Sequence, residues 1–318
     1  MRLESRSPFA VAAYALLVVL ALAAPFIGLY PVLVMKVLCF AIFACAFNLL
    51  LGFTGLLSFG HAAFFGGAAY ATGWIVKSMN VTPELGLLFG VLIAAAMGLV
   101  VGAIAIRRQG IYFAMITLAL AQMVFFVCLQ VPFTHGEDGL QGVPRGRLFG
   151  MISLESNTSM YYFVLVVFVA VFLFIRRIVH SPFGQVLKAI RENEPRAISL
   201  GYAVDRYKLL AFVLSTALAG LAGSLKALVV QLATLTDVQW QMSGEVILMT
   251  LLGGLGTFFG PVLGAGIVIS LQDVLADRVG SWVTVIIGAI FVVCVLLFRR
   301  GIVGEFEAFR TKRHGKPE

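Results

Sequence analysis

Eight stretches of this chain are apolar over close to the length a helix needs to cross a bilayer, about 20 residues for about 30 Å of hydrocarbon. They lie near residues 9–29, 32–51, 60–77, 85–106, 110–131, 160–179, 209–231 and 282–298. Such repetition predicts an all-α polytopic membrane protein. A further stretch, 242–273, is apolar but broken by Gly253, Gly254, Gly256, Gly260, Pro261, Gly264 and Gly266. At about 1.5 Å per residue it is short for two spans and long for one. A re-entrant hairpin or two short, broken helices fit it, giving 8–10 spans in all. Composition agrees, with 61% hydrophobic and only 12% charged residues, about half the charge of a soluble domain. That balance excludes a cytosolic enzyme, a nucleic-acid binder and a disordered chain.

The N-terminus has a basic start and an apolar core, as a signal peptide does. Its apolar stretch is about 20 residues long and no convincing small-residue cleavage site follows, so a retained first span is expected. The net charge of +8 is explained by placement. With the N-terminus in the cytoplasm, the inner segments hold Arg2, Arg6, Arg107, Arg108, Arg176, Arg177, Lys188, Arg191, Arg196, Arg206 and Lys208. The tail adds Arg299, Arg300, Arg310, Lys312, Arg313 and Lys316. Outside fall only Lys36, Lys77, Arg145, Arg147 and Arg278, with Lys226 inside a span. This bias sets orientation. Eight full spans and a hairpin that returns to the side it left put both termini in the cytoplasm.

Catalytic and metal signatures are not found in the sequence. There is no GxxxxGK[ST] loop, no GxGxxG in a strand-to-helix setting, no HExxH and no GxSxG. The four histidines, at 61, 135, 180 and 314, are scattered. An enzyme, a metal site or a bound cofactor in this chain is therefore not expected. Cys39, Cys45, Cys128 and Cys294 sit in apolar runs without metal spacing and read as buried, reduced thiols.

Two polar stretches remain, 132–159, expected outside, and 180–207, expected inside. In the second, Ser181 can cap a helix that begins with Pro182. Leu187, Ile190 and Arg191 follow at helical spacing. Glu192, Asn193 and Glu194 break the run, and Pro195 can open a second short helix ending near Gly201. A short charged helical hairpin is the reading. It is either a solvated loop that sets topology or a docking element for a cytoplasmic partner.

Several blocks in order resemble one family. They are NLLLGFTGLLSFGHAAFFGGAAYATG (48–73), GIYFAMITLALAQM (110–123), THGEDGLQGVPR (134–145), SPFGQVLKAIRENEPRAISLG (181–201), KLLAFVLSTALAGLAGSL (208–225) and MTLLGGLGTFFGPVLGAG (249–266). Together they resemble the branched-chain amino-acid permeases of bacterial ABC importers, the LivM type. The resemblance implies that residues 1–318 form one transmembrane permease domain, with 132–159 as external loop and 181–206 as the cytoplasmic coupling segment. In that segment Ser181, Phe183, Gly184, Arg191, Glu192, Asn193, Glu194, Arg196 and Gly201 become candidates for ATPase coupling. Arg196-Ala197 stands near the place where many importer permeases carry Glu-Ala-Ala, a departure from the wider pattern.

The resemblance further implies a bacterial inner-membrane subunit working with a second, related permease as a heterodimer. Two cytoplasmic ATPase subunits would bind ATP and magnesium, and a periplasmic protein would deliver the substrate. Any ATPase is expected to be a separate chain. Asn48, Thr54, Ser58 and His61 sit in a glycine-rich block, and Thr117 and Gln122 lie near the middle of their span. They either bond helix to helix or line the pathway. Lys226 and Glu245 are charges within apolar segments and default to functional hypotheses. Related permeases also carry urea, short amides, simple sugars or nucleosides. An ion-coupled secondary transporter is the reading from another class, but the carboxylate relay it needs at midplane is missing.

Overall fold

Proline stands in the first turn of several helices, where its missing N–H leaves no hydrogen bond unmade. Among them are helices that begin at Pro31, Pro83 and Pro182. The computed structural model describes residues 30–282, 285–290, 292 and 301–304. In chain order the helices are α1 (Pro31–Thr54), α2 (His61–Met79), α3 (Pro83–Ala105), α4 (Ile111–Gln130) and α5 (Asn157–His180). There follow α6 (Pro182–Glu192), α7 (Glu194–Ser199), α8 (Val204–Val230), α9 (Trp240–Gly253) and α10 (Gly260–Val279). The apolar runs expected from 32 to 231 each form one helix, and 242–273 forms two, α9 and α10. The expected span 9–29, most of 282–298, Cys294 and the basic residues of both tails lie outside the described residues.

Helix α8 is the axis of the structure. It packs along α1, α2 and α3, while α5 and α10 pack on the far side of α1. Among the described residues, five helices are long and apolar enough to cross a membrane: α1, α3, α4, α5 and α8. Of their most apolar windows, α8 is 72% buried and α1 67%, against 28% to 33% for α3, α4 and α5. The first two are therefore protein core. The other three turn apolar side chains such as Leu92, Leu99, Met123, Phe126, Val166 and Leu173 outward, as helices facing lipid must.

Helix α2 does not start at the edge of this bundle. His61 is bonded to Ser215, which lies about 16 Å along α8 from Val204 at 1.5 Å per residue. The non-helical segment 55–60 therefore climbs from the end of α1 to mid-depth before α2 begins. Helix α9 begins at a similar level, because the Ala62 N–H donates to Ser243 Oγ at 2.9 Å. A second break, 254–259, then separates α9 from α10. Both breaks open on a glycine with positive φ, Gly55 at 79° and Gly254 at 119°, where a side chain would be strained. Residues 301–304 return to this second break, with Gly301 against Gly254.

The segment after α4 is ordered by contacts with the other end of α8. Strand β1 (Leu140–Gln141) forms an antiparallel pair with β4 (Leu232–Ala233), and β2 (Arg147–Leu148) pairs with β3 (Ile152–Ser153). Arg145 clamps the two parts. Its guanidinium donates to Val229 O at 2.9 Å and to Asn157 Oδ1 at 2.8 Å, and burial lowers its pKa from the ordinary arginine value. Cys39, Cys45 and Cys128 are free and buried, as expected.

Lys226 is not at the outer surface but buried, with Nζ 2.6 Å from Asp237 Oδ2. Asp237 also accepts from the Thr234 N–H and hydroxyl, so one carboxylate holds the turn that leads into α9. Glu245, the second charge within an apolar segment, lies half-buried on α9. Removing one member of a buried pair strands the other charge, at a cost of about 3–5 kcal/mol. Lys226→Met should lower the melting temperature of the detergent-purified protein sharply. Lys226→Met combined with Asp237→Asn should regain most of that loss, and equal melting of the two variants would show that the pair is not what stabilises the turn.

Candidate functional site

The polar hairpin α6–α7 follows α5 with a single residue between. Ser181 makes the corner by donating its hydroxyl to Ile178 O at 2.6 Å and accepting from the Gly184 N–H at 3.3 Å. Gly184 itself is pressed to the end of α5, where an added Cβ would stand 2.4 Å from Val179 O. Phe183 stacks on Tyr207 of α8, ring centroids 5.7 Å apart. Asn193 ends α6 and caps α7 by accepting from the Arg196 N–H at 3.0 Å. Gly201, at φ 86°, releases the chain toward α8. Leu187 and Ile190 are buried beneath the hairpin, while Glu192 and Arg196 face outward.

Two residues tie the hairpin into the bundle. Arg191 donates to Gly52 O near the end of α1. Its stem lies against Gly55, and its Nη1 reaches Gly256 in the second break. One side chain thus touches both interruptions. Glu194 turns inward, accepting from Lys208 Nζ at 2.6 Å and from Gln109 Nε2 at 2.9 Å. It therefore joins the hairpin to α8 and to the turn before α4. Lys208 is only 2% exposed, so this pair works in a medium where its attraction is weakly screened.

The polar residues of the apolar spans divide by partner. Asn48 bridges to the second break, donating to Thr257 O at 2.8 Å and accepting from the Gly256 N–H at 2.9 Å. Thr54 and Thr117 donate back to their own helices, at Leu49 O and Ala114 O. Ser58 accepts from the Gly60 N–H within the first break. His61 is fully buried among Phe47, Phe64 and Phe212. The Ser215 hydroxyl donates to Ala46 O at 2.6 Å, so His61 Nε2 donates to Ser215 at 2.9 Å. Its Nδ1 is buried with no partner among the described residues. Gln122 is half-buried on α4. Asn48 is bonded to the second break and His61 to α8, while Thr117 of α4 lies against Gly60 of the first break, beside Ser58 and His61.

Sequence reading passed over Gln109 and Ser215, whose partners lie far away in the chain, and took Lys208 only as a charge that sets orientation. It also passed over Ile198, Leu200 and Tyr202 at the tip of the hairpin, which are 57%, 68% and 40% exposed. Three apolar side chains held out beside Glu192 and Arg196 make a contact surface of mixed chemistry. Among the described residues, no group of three or more His, Cys, Asp or Glu side chains is placed to hold a metal.

Comparison with known proteins gives this arrangement a family. A model described as branched-chain amino acid transport system / permease component matches residues 29–295, and the chain belongs to that family. It is 27% identical to the high-affinity branched-chain amino acid transport system permease protein LivM of Escherichia coli, over 90% of this chain and 73% of that protein. It is 30% identical to the probable branched-chain amino acid transport permease protein LivM of Methanocaldococcus jannaschii, over 63% of this chain and 60% of that protein. The high-affinity branched-chain amino acid transport system permease protein LivH of Salmonella typhimurium is 24% identical, over 84% and 92%. No solved structure matches.

Asn48, itself buried, satisfies a half-buried N–H and a half-buried C=O at once, and leaving a buried polar group unmatched costs about 1–3 kcal/mol. Asn48→Ala should therefore destabilise the protein by about 2 kcal/mol or more, read as thermal melting in detergent. Thr54→Val, which removes only a bond to its own helix, should melt close to the parent. Similar melting of the two would remove Asn48 from its structural role.

Proposed function

We propose that this chain is the transmembrane permease subunit of a bacterial ABC importer in the inner membrane. With a second, related permease it forms the passage for branched-chain or related hydrophobic amino acids. Two separate cytoplasmic ATPase subunits supply the energy and hold ATP and magnesium, and a periplasmic binding protein delivers the cargo. In this reading residues 1–318 are one domain with both termini in the cytoplasm, 181–206 is the coupling segment and 132–159 the external loop. The likeness to proteins named both LivM and LivH supports a partner permease from the same family.

The observation that carries the reading is the double anchorage of α6–α7. Its outer side offers Ile198, Leu200, Tyr202, Glu192 and Arg196 to a partner. Its inner side grips both breaks through Arg191 and grips α8 through Glu194. A solvated loop that only sets topology needs neither. Closure of the ATPases pushes the hairpin, and Arg191 passes the displacement to Gly52 in the last turn of α1 and to Gly256, where the backbone is not locked in a helix. Helices α1 and α9 then shift relative to α8, and access alternates between the two faces. A zwitterion with an apolar side chain needs weak polar contacts and apolar walls along such a route. The apolar cores of α1, α2 and α8, whose buried charge Lys226 is already neutralised by Asp237, suit that demand.

The test is co-purification with the cognate ATPase, followed by transport in proteoliposomes. Ile198→Asp with Leu200→Asp should lower ATPase recovery at least tenfold. Arg191→Ala should keep the ATPase bound and lose most substrate-stimulated hydrolysis. An intact chain that purifies alone and moves substrate down an ion gradient would replace the importer by a secondary transporter.

A further inference from the structure

Where α5 meets α6 the surface holds a concavity of about 680 Å³ lined by Leu173, Arg176, Arg177, His180, Ser181 and Pro182. The four residues from α5 stand at i, i+3, i+4 and i+7, so they form one face of the helix. All four are exposed, and upward from them the same face continues through Val169 and Val166, also exposed. One stripe therefore runs from apolar side chains at membrane depth to two guanidinium groups and an imidazole at the end of the helix. Among the described residues the ion pairs are Lys208–Glu194 and Lys226–Asp237, so neither arginine has a carboxylate partner. Beside them, Ser181 and Pro182 begin α6, and the N-terminal end of a helix adds partial positive charge.

From this arrangement we infer that the α5–α6 corner is a binding site for an anionic phospholipid. The phosphodiester sits between Arg176 and Arg177, and an acyl chain lies along Leu173, Val169 and Val166. A guanidinium suits the group because its fork of donors matches phosphate oxygens. The apolar continuation is what favours a lipid over a free phosphate or an acidic protein surface. A soluble anion has no use for three exposed aliphatic side chains, and an acidic docking surface would approach from beyond the helix end. Positive charge at the end of a span attracts anionic lipid in any case; the concavity and its apolar wall make the attraction specific.

The site also has a path to the moving parts. His180 Nδ1 donates to Arg176 O at 2.8 Å, which fixes the ring across the corner. The ring stacks on Phe258 at 5.1 Å with an interplanar angle of 12°. Phe258 belongs to the second break, so a headgroup that presses on His180 acts on the backbone that Arg191 also touches. The inference needs only a protein embedded in a membrane and does not depend on the importer reading.

The test uses the full chain, with whatever subunits co-purify, in nanodiscs of phosphatidylcholine containing a small fraction of phosphatidylglycerol, followed by native mass spectrometry of retained lipid. The parent should retain phosphatidylglycerol over phosphatidylcholine. Arg176→Gln with Arg177→Gln should lower that preference at least tenfold, while Arg176→Lys with Arg177→Lys keeps most of it. Leu173→Gln should weaken retention without restoring phosphatidylcholine. Millimolar inorganic phosphate should not displace the lipid; equal competition by phosphate would assign the site to a soluble anion and overturn the proposal. So would equal retention of both lipids by the parent, a reading that stands even if the double variant fails to fold. Crosslinking of a Leu173→Cys variant in high yield to a partner permease would also overturn it, by showing that protein covers this face.

Discussion

Unpaired backbone is the costliest thing a membrane protein can hold at depth, because no water is there to satisfy it. Among the described residues two interruptions, 55–60 and 254–259, are set against the most enclosed helices. Everything around them serves to pair what the helices leave open. Asn48 supplies both an acceptor and a donor to the second break. Ser58 and Thr257 bond the N–H groups of Gly60 and Gly260, the residues at which α2 and α10 resume. Arg191 takes the Gly52 carbonyl just before the first break. The rest of the fold is arranged so that these few side chains reach their partners.

That requirement explains why the hairpin α6–α7 is so firmly fixed. A loop that only returned the chain from α5 to α8 would need few residues and no buried contacts. Here Leu187 and Ile190 are buried beneath it, Glu194 ties it to Lys208 and Gln109, and Arg191 passes between the two breaks. The hairpin is part of what satisfies the interrupted backbone. Displacing it must therefore disturb that backbone, which is a property a coupling element needs and a spacer would avoid.

Much of this was legible in the residues. Apolar length marks each of α1 to α5 and α8, because lipid imposes one length on every span. Seven glycine and proline residues between 253 and 266 announce a break, because no other residues tolerate it so readily. Ser181 with Pro182 announces the first short helix by its cap, and Pro195 after the break at Glu192, Asn193 and Glu194 announces the second. The partners were not legible. A polar residue in an apolar run declares that it needs a bond but not where the bond is made. Asn48 finds its partners 208 and 209 residues away, whereas Thr54 finds one five residues back on its own helix. The two look alike in sequence. Glu194 reads as an exposed coupling charge for the same reason, because nothing local reveals that Lys208 draws it inward.

The two breaks are alike in more than function. Each is six residues long, opens on a glycine with positive φ and carries a hydroxyl in fourth place, Ser58 and Thr257, followed by Phe59 and Phe258. In three dimensions the two segments meet at one side chain, since the stem of Arg191 lies on Gly55 and its guanidinium reaches Gly256. One cation thus joins α6 to the junction of α1 with α2 and to the junction of α9 with α10, both beside α8, the most enclosed of the long apolar helices and continuous from Val204 to Val230.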